Sequence, residues 1–296
     1  MRNLERRIVY LIMLMAVAVP IVFRVALPPA RMMAAEKTYA LMNELPSTQN
    51  TVTKSEVAFV WIDFGPNTIA ENEPQAEVII EHLFRKRIPV IIATQYQLAE
   101  AFLSSIPKGV ATRLSKEIPD QKWEYGTDWI SIGYQPMGAL FLQSLAKSDN
   151  ISEFLKKDFY GTPFAQLPNF AHIGNVKDVK FVGQFTGLVG TLDNFIQYFQ
   201  KDGYHPTLVH GCTSITIPEA YIFLDSGQIS GLLEGISGAA WYSDLMSKTF
   251  PARIPDRSGS TNTALGVSQV MILLLIVAGN VVGLLKRKKV GGRIGA

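Results

Sequence analysis

The feature that most constrains this chain is an apolar segment near its C-terminus. Residues 264–285 form 22 consecutive uncharged positions, and the basic residues of 286–289 follow directly. A helix needs about 20 apolar residues to cross the hydrocarbon core of a bilayer. The sequence therefore predicts a transmembrane helix over 263–285 and a basic cytoplasmic tail at 286–296, with the lipid bilayer as a partner.

A second apolar segment lies near the N-terminus. Residues 8–23 are uncharged and mostly apolar, and the run resumes after Arg24 as far as Leu27. A cleaved signal peptide has a similar layout, but cleavage at Ala34 would place Met32 where a small residue is expected. We therefore predict an uncleaved anchor, in which residues 1–29 form a short cytoplasmic tip and a transmembrane helix.

The charges are segregated along the chain and predict its orientation. The two ends, 1–35 and 263–296, hold ten of the 28 Lys and Arg residues but one of the 25 acidic residues, so the middle carries a net charge of −6. Positively charged flanks stay in the cytoplasm. We therefore expect both termini to be cytoplasmic and residues 30–262 to form an extracytoplasmic domain at the cell membrane. An acidic domain also argues against nucleic-acid binding.

Between the apolar segments, runs of strand-forming residues alternate with amphipathic helical patterns. Continuous apolar runs suit strands that are buried on both faces of a parallel sheet. The predicted fold class is α/β, with a Rossmann-like, mainly parallel sheet, helices on both of its faces, and a transmembrane helix at each end. The predicted strands lie at 56–64, 88–94, 128–134, 179–185 and 206–212.

The helix that follows the first predicted strand is strongly amphipathic. Its apolar face consists of Ala76, Ile79, Ile80 and Leu83, at the spacing of a helix that packs on a core. His82 lies in the middle of this helix, and we expect it at the surface.

Ligands of open parallel sheets bind at the carboxyl ends of the strands. No dinucleotide loop, P-loop or hydrolase elbow appears at these ends, so we predict no cofactor and no catalytic residue. The oxygen-bearing residues of 63–73 would suit Ca²⁺ or Mg²⁺, but they also fit a turn followed by a helix start, and we predict no metal site. The ligand-pocket candidates are Asp63, Asn67, Thr94, Tyr134, Thr186, His210 and Cys212.

Cys212 is the only cysteine of the chain, which excludes an intrachain disulfide, and His210 lies two residues before it. A catalytic cysteine needs a base within hydrogen-bond reach. On one strand the two side chains would lie about 7 Å apart, and free cysteines are commonly buried. We expect a buried thiol at a strand end, and the lining of a pocket and a nucleophile stay open as alternatives.

Small residues at helical spacing mark the segment 227–246. Glycine in a helix interior costs about 1 kcal/mol relative to alanine, so this segment is expected to pack closely against its own sheet or another subunit. In the C-terminal apolar segment, a GxxxG pair lets membrane helices approach each other. We predict a homo-oligomer or a complex with another membrane protein. The interface candidates are Gly231, Gly235, Gly238, Trp241, Gly279 and Gly283.

Three segments resemble a group of uncharacterised prokaryotic membrane proteins with one transmembrane helix at each end and an extracytoplasmic Rossmann-like domain. The segments read YGTDWISIGYQPMG (125–138), GCTSITIPEAY (211–221) and GQISGLLEGISGAAWY (227–242). Together with the strand that ends at Asp63, they spread the resemblance over most of 37–246. The resemblance implies the fold and the membrane topology, and it supplies no activity, substrate or catalytic residue.

Three functions are consistent with these features. The leading hypothesis is a non-enzymatic scaffold or assembly subunit of a membrane complex, which two spans would hold in a fixed orientation. The alternative is an extracytoplasmic small-molecule sensor or binding domain that uses the strand ends, and a hydrolase is the third. A deep polar cleft at the strand ends would favour the second and third functions, whereas a filled sheet edge would favour the first.

Overall fold

The computed structural model describes residues 2–47, 56–200 and 203–291. The chain separates into two compact units. One unit, called the α/β domain below, is Ala30–Ser258, and the other consists of the described residues within Met1–Pro29 and Gly259–Ala296.

Six parallel strands form the centre of the α/β domain. Their spatial order is 3-2-1-4-5-6, which is the strand order of the Rossmann fold, and the order reverses between the first and fourth strands. The predicted α/β class and parallel sheet are confirmed. The strands are β1 (Val57–Asp63), β2 (Val90–Thr94), β3 (Trp129–Tyr134), β4 (Val179–Thr186), β5 (Thr207–Cys212) and β6 (Gly231–Glu234).

Helices cover both faces of this sheet. The described helices are α1 (Arg2–Val22), α2 (Met33–Glu44), α3 (Ile69–Arg85), α4 (Phe102–Glu117), α5 (Gly138–Lys147), α6 (Ile151–Leu155), α7 (Leu192–Phe199), α8 (Ile217–Asp225), α9 (Gly235–Thr249) and α10 (Ser258–Gly291). One face packs against α2, α3, α4 and α9, and the other packs against α5, α6, α7 and α8. The predicted apolar face of α3 is fully buried.

His82 is not at the surface, which corrects the expectation for the middle of α3. It is 1% exposed, and its Nδ1 lies 2.5 Å from the hydroxyl oxygen of Tyr242 in α9. Burial lowers the pKa of His82 to about 3, so the ring is neutral at physiological pH. The histidine therefore joins two helices within the core.

The segment 227–246 is not one helix, which corrects the expected helical stripe. Its first part forms the edge strand β6 beside β5, and α9 begins only at Gly235, whose φ of +54° is a left-handed conformation that favours glycine. Helix α2 covers the free edge of β6, because Thr38 Oγ1 accepts a hydrogen bond from Leu232 N at 2.9 Å. A Cβ atom on Gly231 would lie 2.5 Å from the same oxygen, so this glycine allows α2 to approach.

Helix α10 contains the predicted C-terminal span. Its portion Ser258–Val282 has 25 residues, or about 37 Å at 1.5 Å per residue, which exceeds the roughly 30 Å of a hydrocarbon core. Within the described residues it is the one helix that is long and apolar enough to cross a membrane. The helix starts at Ser258 because its backbone N–H donates to Asp256 Oδ1 at 2.7 Å, as at a capped helix start.

The N-terminal helix is shorter than predicted, which corrects the expectation of a transmembrane helix at each end. Helix α1 ends at Val22, and Arg24 has a left-handed φ of 52°. Its uncharged part, 8–22, would cover only about 22 Å. The apolar residues beyond Arg24 do not extend the helix, and Leu27 N instead donates to Thr263 Oγ1 at 2.8 Å.

Candidate functional site

The carboxyl edge of β1, β4 and β5 brings several predicted site residues together. The strand register aligns Asp63 with Thr186 and Thr186 with Cys212. Two residues earlier in each strand, on the same face of the sheet, the register aligns Trp61 with Gln184 and Gln184 with His210. Because the strand order reverses between β1 and β4, this is where a Rossmann-like sheet would bind a ligand.

Asp63 is the centre of a hydrogen-bonded cluster at the end of β1. Its Oδ1 accepts from Thr94 Oγ1 at 3.1 Å and from Gln95 N at 2.7 Å. Thr186 Oγ1 donates to the Asp63 carbonyl oxygen at 3.0 Å. Burial raises the pKa of the Asp63 carboxyl to about 6, against the opposing effect of the Gln95 N–H. The cluster therefore joins β1, β2 and β4 and holds a carboxyl group away from solvent.

Two further pocket candidates, Tyr134 and Asn67, are not part of this hydrogen-bonded cluster. Tyr134 is half-buried at the end of β3, where it aligns with Thr94. Asn67 is exposed in the turn between β1 and α3. The prediction placed all seven residues near the sheet edge. Of these, Asp63 forms hydrogen bonds with Thr94 and Thr186.

The row Trp61–Gln184–His210 carries polar atoms that lack hydrogen-bond partners among the described residues. These atoms are Trp61 Nε1, Gln184 Oε1 and His210 Nδ1. His210 is 5% exposed, and burial lowers its pKa to about 4. It lines a cavity of about 20 Å³ beneath the loop that follows β4, which is room for about one water molecule. Sequence reasoning missed Gln184, although a glutamine inside a predicted apolar strand is a readable signal.

Cys212 and His210 do not form a nucleophile–base pair. Cys212 is inaccessible to solvent, and its Sγ atom donates to the Leu233 carbonyl oxygen at 3.8 Å. Burial raises the pKa of this thiol to about 12, so it is protonated at physiological pH. The residue has the buried position that the sequence suggested.

Native Cys212 is expected to resist a water-soluble thiol reagent such as dithionitrobenzoate and to react only after denaturation. The thiolate is the reactive form, and here the thiol is both buried and protonated. A matched control is Ile215→Cys in a Cys212→Ser background, because Ile215 is 89% exposed three residues later. Rapid labelling of native Cys212 would contradict this account and support the nucleophile alternative.

The crevice that would accept a phosphate group is filled by loop packing. A Cβ atom on Gly187, after β4, would lie 2.4 Å from Thr68 Oγ1, which directly precedes α3. A Cβ atom on Gly65, after β1, would lie 2.8 Å from Tyr96 Cε1. The loops after β1, β2 and β4 therefore touch one another above the sheet. Thr68, directly before α3, is half-buried in this packing, near the place where a Rossmann-like helix would bind a phosphate.

On the opposite face, two buried amides of α3 bind the strand ends. Asn72 Nδ2 donates to the Thr186 carbonyl oxygen at 3.1 Å. Gln75 Nε2 lies 2.8 Å from the Cys212 carbonyl oxygen, 3.1 Å from that of Leu233 and 2.9 Å from that of Gly235. Sequence reasoning missed this amide pair, which we call the Asn72–Gln75 clamp. The sequence does carry a sign of this pair, namely two amide side chains three residues apart at the start of the apolar face of α3.

The acidic residues after β1 point to different partners. Glu71 Oε2 accepts from Ser214 N at 2.8 Å, whereas the Asp63 carboxylate faces Thr94 and Gln95. In the described residues, no group of three or more His, Cys, Asp or Glu side chains is placed to hold a metal ion.

The predicted interface glycines fall into two sets. In the α/β domain they pack inward, since a Cβ atom on Gly235 would lie 2.6 Å from Ser214 Oγ and one on Gly238 would lie 3.0 Å from the Leu233 carbonyl carbon. Trp241 is half-buried against the core. In α10, a Cβ atom on Gly279 would meet no heavy atom within 4 Å, and Gly283 follows one turn later.

The carboxyl edge therefore combines buried side chains with a narrowed crevice. At pH 7 its histidine and thiol are both uncharged, and its cavity is of the size of a water molecule. Comparison with protein-family models, with curated proteins and with solved structures finds no match to this chain.

Proposed function

We propose that this chain is a membrane-anchored extracytoplasmic assembly subunit that does not catalyse a reaction. The observation that carries the proposal is the filled carboxyl edge of the sheet, where enzymes and sensors of this architecture bind their ligands. The close approaches of Gly187 to Thr68 and of Gly65 to Tyr96 narrow the crevice there. The cavity beside His210 is far below the roughly 300–1,000 Å³ of small-molecule sites.

The proposed topology is a hairpin with both termini in the cytoplasm. Helix α10 is long enough to span the bilayer, and its basic end favours the cytoplasmic side. The uncharged part of α1 covers only about 22 Å, so this topology requires it to enter the bilayer from its basic start, with the shortfall taken up by local thinning of the bilayer and by Arg24 reaching the outer interface. The Ile215→Cys variant tests this topology with a membrane-impermeant maleimide. Labelling in intact cells is expected, and labelling only after lysis would overturn it.

We propose that the chain associates with its partner through contacts of α10. Gly279 offers an open surface, and the sequence places a second glycine, Gly283, four residues later, the spacing of helix pairs that pack through small residues. The Asn280 amide donates to the carbonyl oxygen of Ile276 in the same helix at 2.9 Å. Close backbone packing at the glycines is therefore the proposed source of affinity.

Native mass spectrometry of the intact, detergent-solubilised chain tests the assembly function. A defined oligomer or a co-purifying membrane protein is expected. Gly279→Leu should dissociate the assembly because its side chain fills the approach surface. Gly266→Leu is the matched control, since a Cβ atom on Gly266 in the same helix also meets no atom within 4 Å. A monomer without a partner would contradict the proposal, and so would an assembly whose mass is unchanged by Gly279→Leu.

A further inference from the structure

A second cavity of the α/β domain lies away from the carboxyl edge of β1, β4 and β5. It is an open groove of about 720 Å³ between α4 and the segments that flank β3. This volume is within the range of ligand sites, whereas the cavity beside His210 holds about one water. We call it the α4 groove.

One wall of the α4 groove is a stripe along α4. The stripe consists of Ser104, Lys108, Ala111, Thr112, Ser115 and Lys116. These positions recur at three- and four-residue intervals, so they lie on one helix face. Hydroxyl and ammonium groups alternate along it from turn to turn, and the two lysines are about 12 Å apart along the helix axis.

The opposite wall of the α4 groove is aromatic. Trp123, Tyr125, Trp129 and Tyr160 line it. The Tyr125 and Tyr160 rings meet edge to face at 5.1 Å, and Tyr160 is 63% exposed. Trp123 is fixed by its Nε1, which donates to the Phe84 carbonyl oxygen at 3.0 Å. The wall is therefore a supported aromatic surface with one ring available to solvent.

The charged side chains of the α4 groove favour a negatively charged ligand. Within the described part of the chain, neither Lys108 nor Lys116 forms an ion pair, whereas the two arginines of α3 and α4, Arg85 and Arg113, both do. Both lysines are exposed. A ligand with two negative charges about 12 Å apart would match them.

Aromatic rings, hydroxyls and lysines together favour an acidic carbohydrate. The C–H faces of sugar rings stack on aromatic side chains, and sugar hydroxyls pair with Ser and Thr hydroxyls. A lysine on every second helical turn matches a chain with a carboxylate on every second sugar, because a disaccharide repeat has nearly the length of two turns. We propose that the α4 groove binds an oligosaccharide that carries carboxylates on alternate sugar units.

Calorimetric titration of the full chain in phosphatidylcholine nanodiscs tests this site. The probe is a hyaluronate hexasaccharide, which has a carboxylate on alternate sugars. A neutral chitin hexasaccharide and hexaglutamate are the comparison ligands. Saturable binding of the hyaluronate probe is expected, together with weaker binding of the other two. A change in tryptophan fluorescence should accompany it, because two of the four tryptophans line the groove.

Variants separate the α4 groove from general charge attraction. The double variant Lys108→Ala/Lys116→Ala should bind about ten-fold more weakly, and Tyr160→Ala should also weaken binding. The control Lys122→Ala/Lys147→Ala removes two exposed lysines outside the groove and should leave the affinity unchanged. The proposal is overturned if the hyaluronate probe does not bind, if both groove variants bind it normally, or if hexaglutamate binds equally well.

Discussion

Replacing Arg253 with methionine is expected to lower the free energy of unfolding by about 3–5 kcal/mol, because it leaves a buried carboxylate without its partner. The Arg253 guanidinium is inaccessible to solvent and contacts two inaccessible carboxylates. Its Nε and Nη2 atoms donate to the two oxygens of Glu81 at 2.7 and 2.8 Å, and Nη2 also donates to Asp256 Oδ2 at 2.5 Å.

The arrangement around Arg253 explains the size of this effect. Glu81 also contacts Arg85 at 2.8 Å and Arg113 at 2.9 Å, so it keeps partners when Arg253 is lost. Asp256 loses its closest cation. Burial raises the pKa of Asp256, but the opposing attraction of Arg253 brings it down to about 2, so a buried negative charge would remain.

Urea denaturation of the full chain, followed by tryptophan fluorescence, measures the change. Arg31→Met is the matched control, because the Arg31–Glu36 pair is exposed, and it should leave the transition midpoint unchanged. The double variant Arg253→Met/Asp256→Asn should recover part of the loss, since it removes the unpaired charge and retains an Oδ1 acceptor for Ser258 N. Equal midpoints for Arg253→Met and Arg31→Met would contradict this prediction.

This ion network shows where sequence reasoning ended. The amphipathic pattern of α3 correctly predicted its apolar face, but Glu81 and Arg85 look like ordinary charges on the polar side of the same helix. Their partner Arg253 is 172 residues from Glu81 in the sequence. A helical pattern reports which residues share a face. It does not report which residues from a distant segment of the chain pack against that face.

The strands were predictable for a physical reason, and the sixth strand was missed for another. The first five are apolar runs that are buried on both faces, which is the pattern of a parallel sheet. Strand β6 has four residues and two glycines nearby at helical spacing. Its strand conformation depends on pairing with β5 and on Thr38 of α2. His82 was misplaced for a similar reason, because its partner Tyr242 comes from α9.

The sequence predicted which residues lie at the carboxyl edge of the sheet, but not whether that edge is open to a ligand. Aligned strands brought Asp63, Thr186 and Cys212 together as expected from parallel pairing. Whether such an edge is open depends on the loops above it. The contact between Gly187 and Thr68 is a property of two loops more than 100 residues apart, and no local pattern encodes it.

Gln75→Leu is expected to lower the free energy of unfolding by roughly 2–4 kcal/mol, because buried carbonyl groups that lose a donor cost about 1–3 kcal/mol each. The Gln75 amide lies within hydrogen-bond distance of carbonyl oxygens at the end of β5, in β6 and at the start of α9. Leucine has nearly the same size as glutamine. The substitution therefore removes the hydrogen bonds of the Asn72–Gln75 clamp without leaving a large cavity.

Urea denaturation with Gln97→Leu as control separates the clamp from a general effect of added apolar surface. Gln97 is exposed in the short turn after β2, so its substitution should leave the midpoint nearly unchanged. Amide hydrogen exchange should also rise at β6 and the first turn of α9, because the Leu233 and Gly235 carbonyls lose their shared donor. If Gln75→Leu matches the wild type in both measurements, the clamp does not hold the sheet edge closed. The filled crevice on which the assembly proposal rests would then depend on the loop contacts alone.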